Sequence, residues 1–443
     1  MRFRPTYRSI WGISFPIILA GFSETIVDIT DTIFLAHYGV TELAAIGVAD
    51  AIYGLALFLT LGLVDGIQII IGRRAGQEQP GEIGHVFNQG LYLLTLSAVM
   101  MILIIIFVMP WATMYIFASE NVHGAVNTYL RITAFALLFQ SFNLAYSAFY
   151  IGISRTRVLI GAAVVLAITN ITLDYGLIFG YLGLPELGIQ GAAIASLVAE
   201  IATFIFLTLD IARQRYSNLY GLFHFTKWNV ALSWHLLKIS MPVSLDALVD
   251  MAKWFLLIMI IEQLGEEILA SANIIFSCYA LFLISVDSFS ETVCSMISNL
   301  IGQQQRQQLN VLIRRTIKLS YVVVTPMLLL TWLFPEYVLT IFTEDINMIE
   351  TSHNGLLMIV LATLVAVPAD AYYSAVAGTG DTRVTLLIQS FVAIFTLVFA
   401  WYAALVFNWE LEYILLAEML GWLVCLCLSL AWFKSGLWDR LKV

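Results

Sequence analysis

Apolar runs long enough to cross a bilayer recur along the whole chain, separated by short polar stretches. They fall at residues 12–37, 44–72, 88–117, 125–151, 158–181, 188–212, 235–263, 269–300, 311–335, 352–377, 384–407 and 411–433. About twenty apolar residues span the hydrocarbon core as a helix. The pattern therefore predicts an all-α integral membrane protein with twelve transmembrane helices. Several runs exceed twenty residues, which implies tilt or extension past the core.

Composition agrees. The 443 residues are 60% hydrophobic and 12% charged, against about 25% charged in soluble domains. Cys278, Cys294, Cys425 and Cys427 all sit in apolar runs, with neither a disulfide framework nor metal-binding spacing. The start, "MRFRPTYRSIWGISFPIILAG", is basic and then apolar, without a small-residue cleavage site, and reads as a retained first helix. No cofactor and no nucleic-acid partner are expected. The expected partners are the lipid bilayer and a small organic molecule.

Lys and Arg set the orientation. Arg2, Arg4 and Arg8 precede helix 1; Arg73 and Arg74 follow helix 2; Arg155 and Arg157 separate helices 4 and 5. Arg213, Arg215, Lys227 and Lys238 lie around the longest loop, Arg306, Arg314, Arg315 and Lys318 follow helix 8, Arg383 follows helix 10, and Lys434, Arg440 and Lys442 close the chain. All are on one side. The opposite loops carry Glu42, Glu120, Glu186, Glu266, Glu267, Glu344, Asp345, Glu410 and Glu412 with no Lys or Arg. Apart from the basic residues named above, only Arg131 and Lys253 are left, both inside spans. The expected placement is a multi-pass protein of the cell (inner or plasma) membrane with both termini cytoplasmic.

The chain also repeats itself. "ISFPIIL" at 13–19 returns as "ISMPVSL" at 239–245. The offset that carries Ile13 onto Ile239 also carries Gly39 onto Gly265 and Asp65 onto Glu291. It carries "GQ" at 76–77 onto "GQ" at 302–303, and "GISRTRV" at 152–158 onto "GTGDTRV" at 378–384. Two six-helix copies follow: an N-lobe at 1–212, a cytoplasmic linker at 213–234 and a C-lobe at 235–443. An even helix count makes the repeats parallel, and such a pair encloses a central cavity about which it can rock.

Acids inside the spans carry the candidate chemistry. Glu24, Asp28 and Asp31 share one face of helix 1. Each costs about 2.5–3.5 kcal/mol at the bilayer centre, and such residues are functional by default. In helix 5, "TNITLDYG" puts Asn170 and Asp174 one turn apart, and helix 6 offers Ser196. Two carboxylates, an amide oxygen and a hydroxyl suit Na⁺, and equally a shared proton. The bland alternative is that Asp31 and Asp174 merely pack helices. Glu24 and Asp28 are candidates for lining an aqueous cavity.

In the second half, "DALVDMAK" supplies Asp246, Asp250 and Lys253, with Lys253 one helical turn after Asp250. The pair reads either as a neutralised, silent charge or as a substrate contact. Glu291, the counterpart of Asp65, and Asp370 with Tyr372 in "VPADAYY" are further cavity candidates. Pro16 and Pro242 are repeat-equivalent. Each stands within the first helix of its half and there permits a kink, making it a candidate hinge.

The residues "SFPIIL…ITDTIFLAHYG", "GISRTRVLI…TNITLDYGLIFG", "LPELGIQGAAIAS" and "AGTGDTRV" together resemble the multidrug and toxic compound extrusion (MATE) family over nearly the whole chain. The resemblance implies a V-shaped, two-lobed, twelve-helix antiporter that exports organic, often cationic and amphipathic, compounds against inward H⁺ or Na⁺, and a monomer. Asp31, Asn170 and Asp174 match the helix 1 and helix 5 pattern of its DinF-like branch, which also places a bending proline where Pro16 stands. Asp250 occupies the helix 7 acid position of the NorM-like branch. Asp370 falls about one turn from that branch's helix 10 aspartate, and Lys253, Glu24 and Asp28 have no counterpart.

Other classes fit less well. A flippase or exporter of a lipid-linked metabolite in the same superfamily would bind pyrophosphate and want a basic cavity. An intramembrane enzyme is not expected: "DITD" at 28–31 superficially resembles the acidic motif of prenyl transferases, but no second motif follows.

Overall fold

The structure, a computed structural model, describes residues 4–116, 119–225, 227–343 and 345–440. Arg2, Glu344 and Lys442 of the charge pattern lie outside them. Among the described residues every regular element is helical. The twelve long helices are α1 (Tyr7–Tyr38), α2 (Val40–Gly76), α3 (Pro80–Leu103, running through a π-helical turn Ile104–Val108 into Met109–Ile116), α4 (Glu120–Gly152), α5 (Arg157–Phe179), α6 (Ile189–Arg213), α7 (Val230–Glu262), α8 (Glu266–Gly302), α9 (Leu309–Leu333), α10 (Ile346–Gly378), α11 (Thr382–Trp401, ending in a π-helical turn Tyr402–Val406) and α12 (Leu411–Ser435).

In hydrocarbon every backbone N–H must find its acceptor within the segment, and unbroken apolar runs therefore close into helices. Eleven of these helices are long and apolar enough to cross a membrane. The exception to the twelve expected is α7. It has 33 residues, but Lys238, Asp246, Asp250 and Lys253 dilute its apolar character. Helix ends follow local chemistry. Ser119 Oγ accepts Val122 N–H at the start of α4 (3.4 Å), and Asp345 Oδ1 accepts Asn347 N–H at the start of α10 (2.9 Å). Gly180, at φ 74°, takes the left-handed conformation that stops α5.

The repeat is visible in the helix bounds. α2 and α8 have the same length, and so do α4 and α10; both pairs keep the offset that relates Ile13 to Ile239. α6 and α12 are both 25 residues long. Their starts, Ile189 and Leu411, lie one helical turn closer than that offset, because the connection before α12 (407–410) is shorter than that before α6 (181–188).

The chain divides into two compact units: Phe15–Ser244, and Leu245 onward together with the first turns of α1 up to Ser14. The units thus differ from the division at 212 and 235, because the starts of α1 and α7 are exchanged. In the first unit, Ser240 and Ser244 of α7 lie so close to Gly66 and Gly62 of α2 that neither glycine has room for a Cβ. In the second, Ser14 Oγ donates to Thr292 Oγ1 of α8 (2.9 Å), Trp11 packs on Phe289, and Arg315 donates to the Pro5 carbonyl (2.6 Å). Ser14 and Ser240 are repeat-equivalent, as are Gly66 and Thr292. Small residues permit the close backbone approach on which helix association in lipid depends. Each unit has its own apolar core: Leu35, Leu130 and Ile178 in the first, and their repeat counterparts Ile261, Leu356 and Ala404 in the second.

The segment expected to be a linker is docked. α6 runs to Arg213 and α7 starts at Val230. Between them, Asn88 of α3 donates to the carbonyls of Gly221 (2.9 Å) and His224 (3.2 Å) and accepts from Phe223 N–H (2.8 Å). Its neighbour Gln89 accepts from Asn229 N–H (3.1 Å). The Phe223 ring packs against Phe87 and Tyr146.

Candidate functional site: one pocket in each unit

In the first unit a cavity of about 380 Å³ opens among α1, α2, α4, α5 and α6. Its polar lining is Glu24, Asp28, Asp31, Asp50, Tyr53, Tyr129, Thr133, Gln140, Asn170, Ser196 and Glu200, with no Lys, Arg or His. Glu24, Asp28 and Asp50 are exposed to it, whereas Asp31 and Asn170 are buried at 6% and 1%. Asp174 is fully buried and outside the lining. Asp31 stands within hydrogen-bonding reach of both Asp174 and Asn170.

The polar accounting there is incomplete. Asn170 Nδ2 donates to Ser196 Oγ at 3.5 Å. Asp31 Oδ1, Asn170 Oδ1 and both carboxylate oxygens of Asp174 are buried without a hydrogen-bond partner. Buried acceptors without donors are costly, and a cation or a shared proton removes the deficit. The donors are all oxygen, and no group of three or more His, Cys, Asp or Glu suited to a metal ion occurs among the described residues. The set fits Na⁺ or H⁺ better than a transition metal. Elsewhere in the pocket, Asn143 Nδ2 donates to Glu200 Oε2 (2.7 Å), and Tyr53 OH donates to Gln140 (2.7 Å).

The second unit has a cavity of about 290 Å³, whose lining includes Asp246, Asp250, Lys253, Trp254, Tyr279, Asp287, Asp370, Tyr373, Gln389, Glu418, Trp422 and Cys425. Lys253 Nζ lies 3.1 Å from Asp250 Oδ1 and 3.7 Å from Glu418 Oε1. Gln389 donates to Asp250 (2.7 Å), Trp422 donates to the Tyr279 hydroxyl (2.6 Å), and Tyr373 donates to Asp246.

The two pockets are repeat-equivalent. Glu24 and Asp250, Val27 and Lys253, Asp28 and Trp254, Tyr53 and Tyr279, and Asn170 and Thr396 all pair at the repeat offset, and every one lines its pocket. Ser196 and Glu418 correspond at the offset of α6 and α12. The two carboxylates are not kept: Leu257 stands for Asp31 and Ala400 for Asp174, both fully buried.

Of the sequence-derived candidates, Asp31, Asn170, Asp174 and Ser196 come together, with Glu24 and Asp28 beside them. Asp250, Lys253 and Asp370 come together in the second pocket. Two candidates do not join. Glu291 is absent from the lining, and Tyr372 turns its ring onto Phe433 (centroids 6.1 Å apart) while Tyr373 faces the pocket. Consecutive helical residues point about 100° apart, and "AYY" alone does not say which ring faces in. Asp50, Glu200, Asp287 and Glu418 went unnoticed as site residues. Each is an acid within an apolar run, which is signal enough.

A family model described as MatE matches residues 16–176 and again 242–402. The chain is 24% identical over 336 residues to a probable multidrug resistance protein NorM of Aromatoleum aromaticum, covering 75% of this chain and 72% of the relative. It is 22% identical over 440 residues to a similarly named protein of Thermotoga maritima, covering 97% and 93%. The fold matches the crystal structure of a MATE protein in complex with MaL6 at a TM-score of 0.91, with 18% identity, over 99% of this chain and 98% of the other.

Proposed function

The chain belongs to the MatE family of membrane transporters, and from that premise we propose that it is a monomeric antiporter with cytoplasmic termini. It exports organic cations in exchange for H⁺ or Na⁺ by alternating access. Asp31, Asn170, Asp174 and Ser196 hold the coupling cation. Glu24, Asp28, Asp50 and Glu200 give the adjoining pocket the charge that selects a cationic substrate. The relatives named for multidrug resistance support export of drug-like organic compounds.

The observation that carries the reading is the group of four buried, unpartnered oxygens on Asp31, Asn170 and Asp174. A bound cation satisfies them. Its loss leaves two carboxylates side by side, and that arrangement persists only if one takes a proton or the helices part. Either response links occupancy to a change of shape, which is what exchange requires.

The test is transport in proteoliposomes under Na⁺ and H⁺ gradients imposed separately, with matched cationic and anionic dyes. Export of the cationic dye driven by one of the gradients is expected. Indifference to both gradients, or preference for the anion, overturns the reading; the second outcome points to a flippase-like role.

A further inference from the structure

We propose that Lys253 is a resident counter-ion in the second unit's pocket, and that this pocket is a separate binding site for aromatic or lipophilic organic monocations, which enter by taking Asp250 from Lys253. The inference goes beyond coupled export and does not depend on which ion drives it.

The ammonium of Lys253 is shared unequally. It lies 3.1 Å from Asp250 and 3.7 Å from Glu418. The Lys253 and Glu418 side chains are only 11% and 4% exposed, whereas Asp250 is 56% exposed to the cavity. Parting Lys253 from Glu418 would strand a buried carboxylate, which is strongly unfavourable. Parting it from Asp250 would free a carboxylate that is already wet and already accepts from Gln389 at 2.7 Å. Glu418 Oε1 makes no hydrogen bond, so a small shift of Lys253 toward it makes the missing bond as Asp250 is released. The side chain has two resting places, and the ligand's charge decides between them.

The walls define the ligand. Trp254, Tyr279 and Trp422 line the same cavity as the acids, and aromatic rings of this kind attract an organic cation. An alkali ion needs several oxygens to replace its hydration shell. The two carboxylates that the first unit offers are Leu257 and Ala400 here. No counterpart of Lys253 exists in the first pocket, where Val27 holds the position. The resident ammonium thus already holds the place beside Asp250 that an inorganic ion would take, yet yields to a cation that also gains aromatic contact.

Binding of tetraphenylphosphonium to the purified full-length protein tests this. The double variant Lys253→Met with Glu418→Gln removes the competitor without stranding a buried charge, and it is expected to bind the probe about tenfold more tightly than the parent. Adding Asp250→Asn should cancel the gain. Glu418→Gln alone takes away the alternative resting place, ties Lys253 to Asp250, and should weaken binding several-fold. NaCl in place of choline chloride should leave the gain of the double variant intact. Unchanged or weaker binding by the double variant, a gain that survives Asp250→Asn, or tighter binding by Glu418→Gln alone overturns the proposal. The opposite signs of the two Glu418 variants keep it testable if one of them fails to fold.

Discussion

Asp31 and Leu257 occupy equivalent positions of the repeat, and both are buried, at 6% and 0%. One of the two equivalent helices carries a carboxylate into its unit, and the other fills the same place with hydrocarbon. Coupling should therefore be one-sided. Asp31→Asn and Asp174→Asn keep side-chain shape but remove the charge and the exchangeable proton. Each should reduce gradient-driven transport to the level of empty vesicles, while size-exclusion profile and melting temperature stay near those of the parent. Full coupled transport in both variants would remove the first unit from the coupling step.

Ser196 has a lesser part. Its hydroxyl accepts from Asn170 at 3.5 Å and donates to the Ala192 carbonyl at 3.1 Å. Ser196→Ala leaves both carboxylates in place and removes one neutral oxygen, a loss of about 1 kcal/mol. The concentration of driving cation needed for half-maximal transport should rise several-fold, with the maximal rate little changed. A lost maximal rate would mean that Ser196 holds the helices and not the ion.

Asn88 predicts a stability effect without a transport chemistry. Its amide binds the backbone at Gly221, Phe223 and His224. Asn88→Ala leaves these groups without partners, at about 1–3 kcal/mol for each that stays buried. The melting temperature in detergent should fall by several degrees, and protease cleavage near residues 221–229 should speed up. Cleavage at the parental rate would show that the aromatic packing of Phe223 alone holds the segment.

Apolar runs and basic loops made the helices legible, because bilayer thickness and the cost of an unpaired backbone leave few other solutions. The cluster of Asp31, Asn170 and Asp174 was legible for the same reason: these polar side chains stand out against apolar neighbours. What the sequence could not give was partnership across long separations. Nothing in "LLAEML" says that Glu418 meets Lys253, five helices earlier, nor does "FNQG" say that Asn88 will tie down residues 221–224. The exchanged starts of α1 and α7 were hidden likewise. Their signal is spread over single small residues, Gly62, Gly66, Ser240 and Ser244, that look ordinary one at a time.

Those exchanged starts bear on how the protein moves. α1 passes from one compact unit to the other between Ser14 and Phe15, and Pro16 follows at once; α7 does so between Ser244 and Leu245, close to Pro242. Both helices run unbroken through their prolines. Each proline nonetheless removes one backbone hydrogen bond and crowds the preceding turn, so it marks where a bend costs least. The two differ in what lies beyond. α1 carries Asp31 into a site with unpartnered oxygens, whereas α7 carries Asp250 and Lys253, already paired at 3.1 Å. If cation binding at Asp31 is what bends a helix, stiffening α1 should be felt more. Pro16→Ala is therefore expected to slow turnover several-fold with little change in substrate affinity, and Pro242→Ala to have a milder effect. Turnover in proteoliposomes and equilibrium binding in detergent separate the two quantities. Normal turnover with Pro16→Ala beside a stalled Pro242→Ala would place the moving, ion-sensing helix in the second repeat instead.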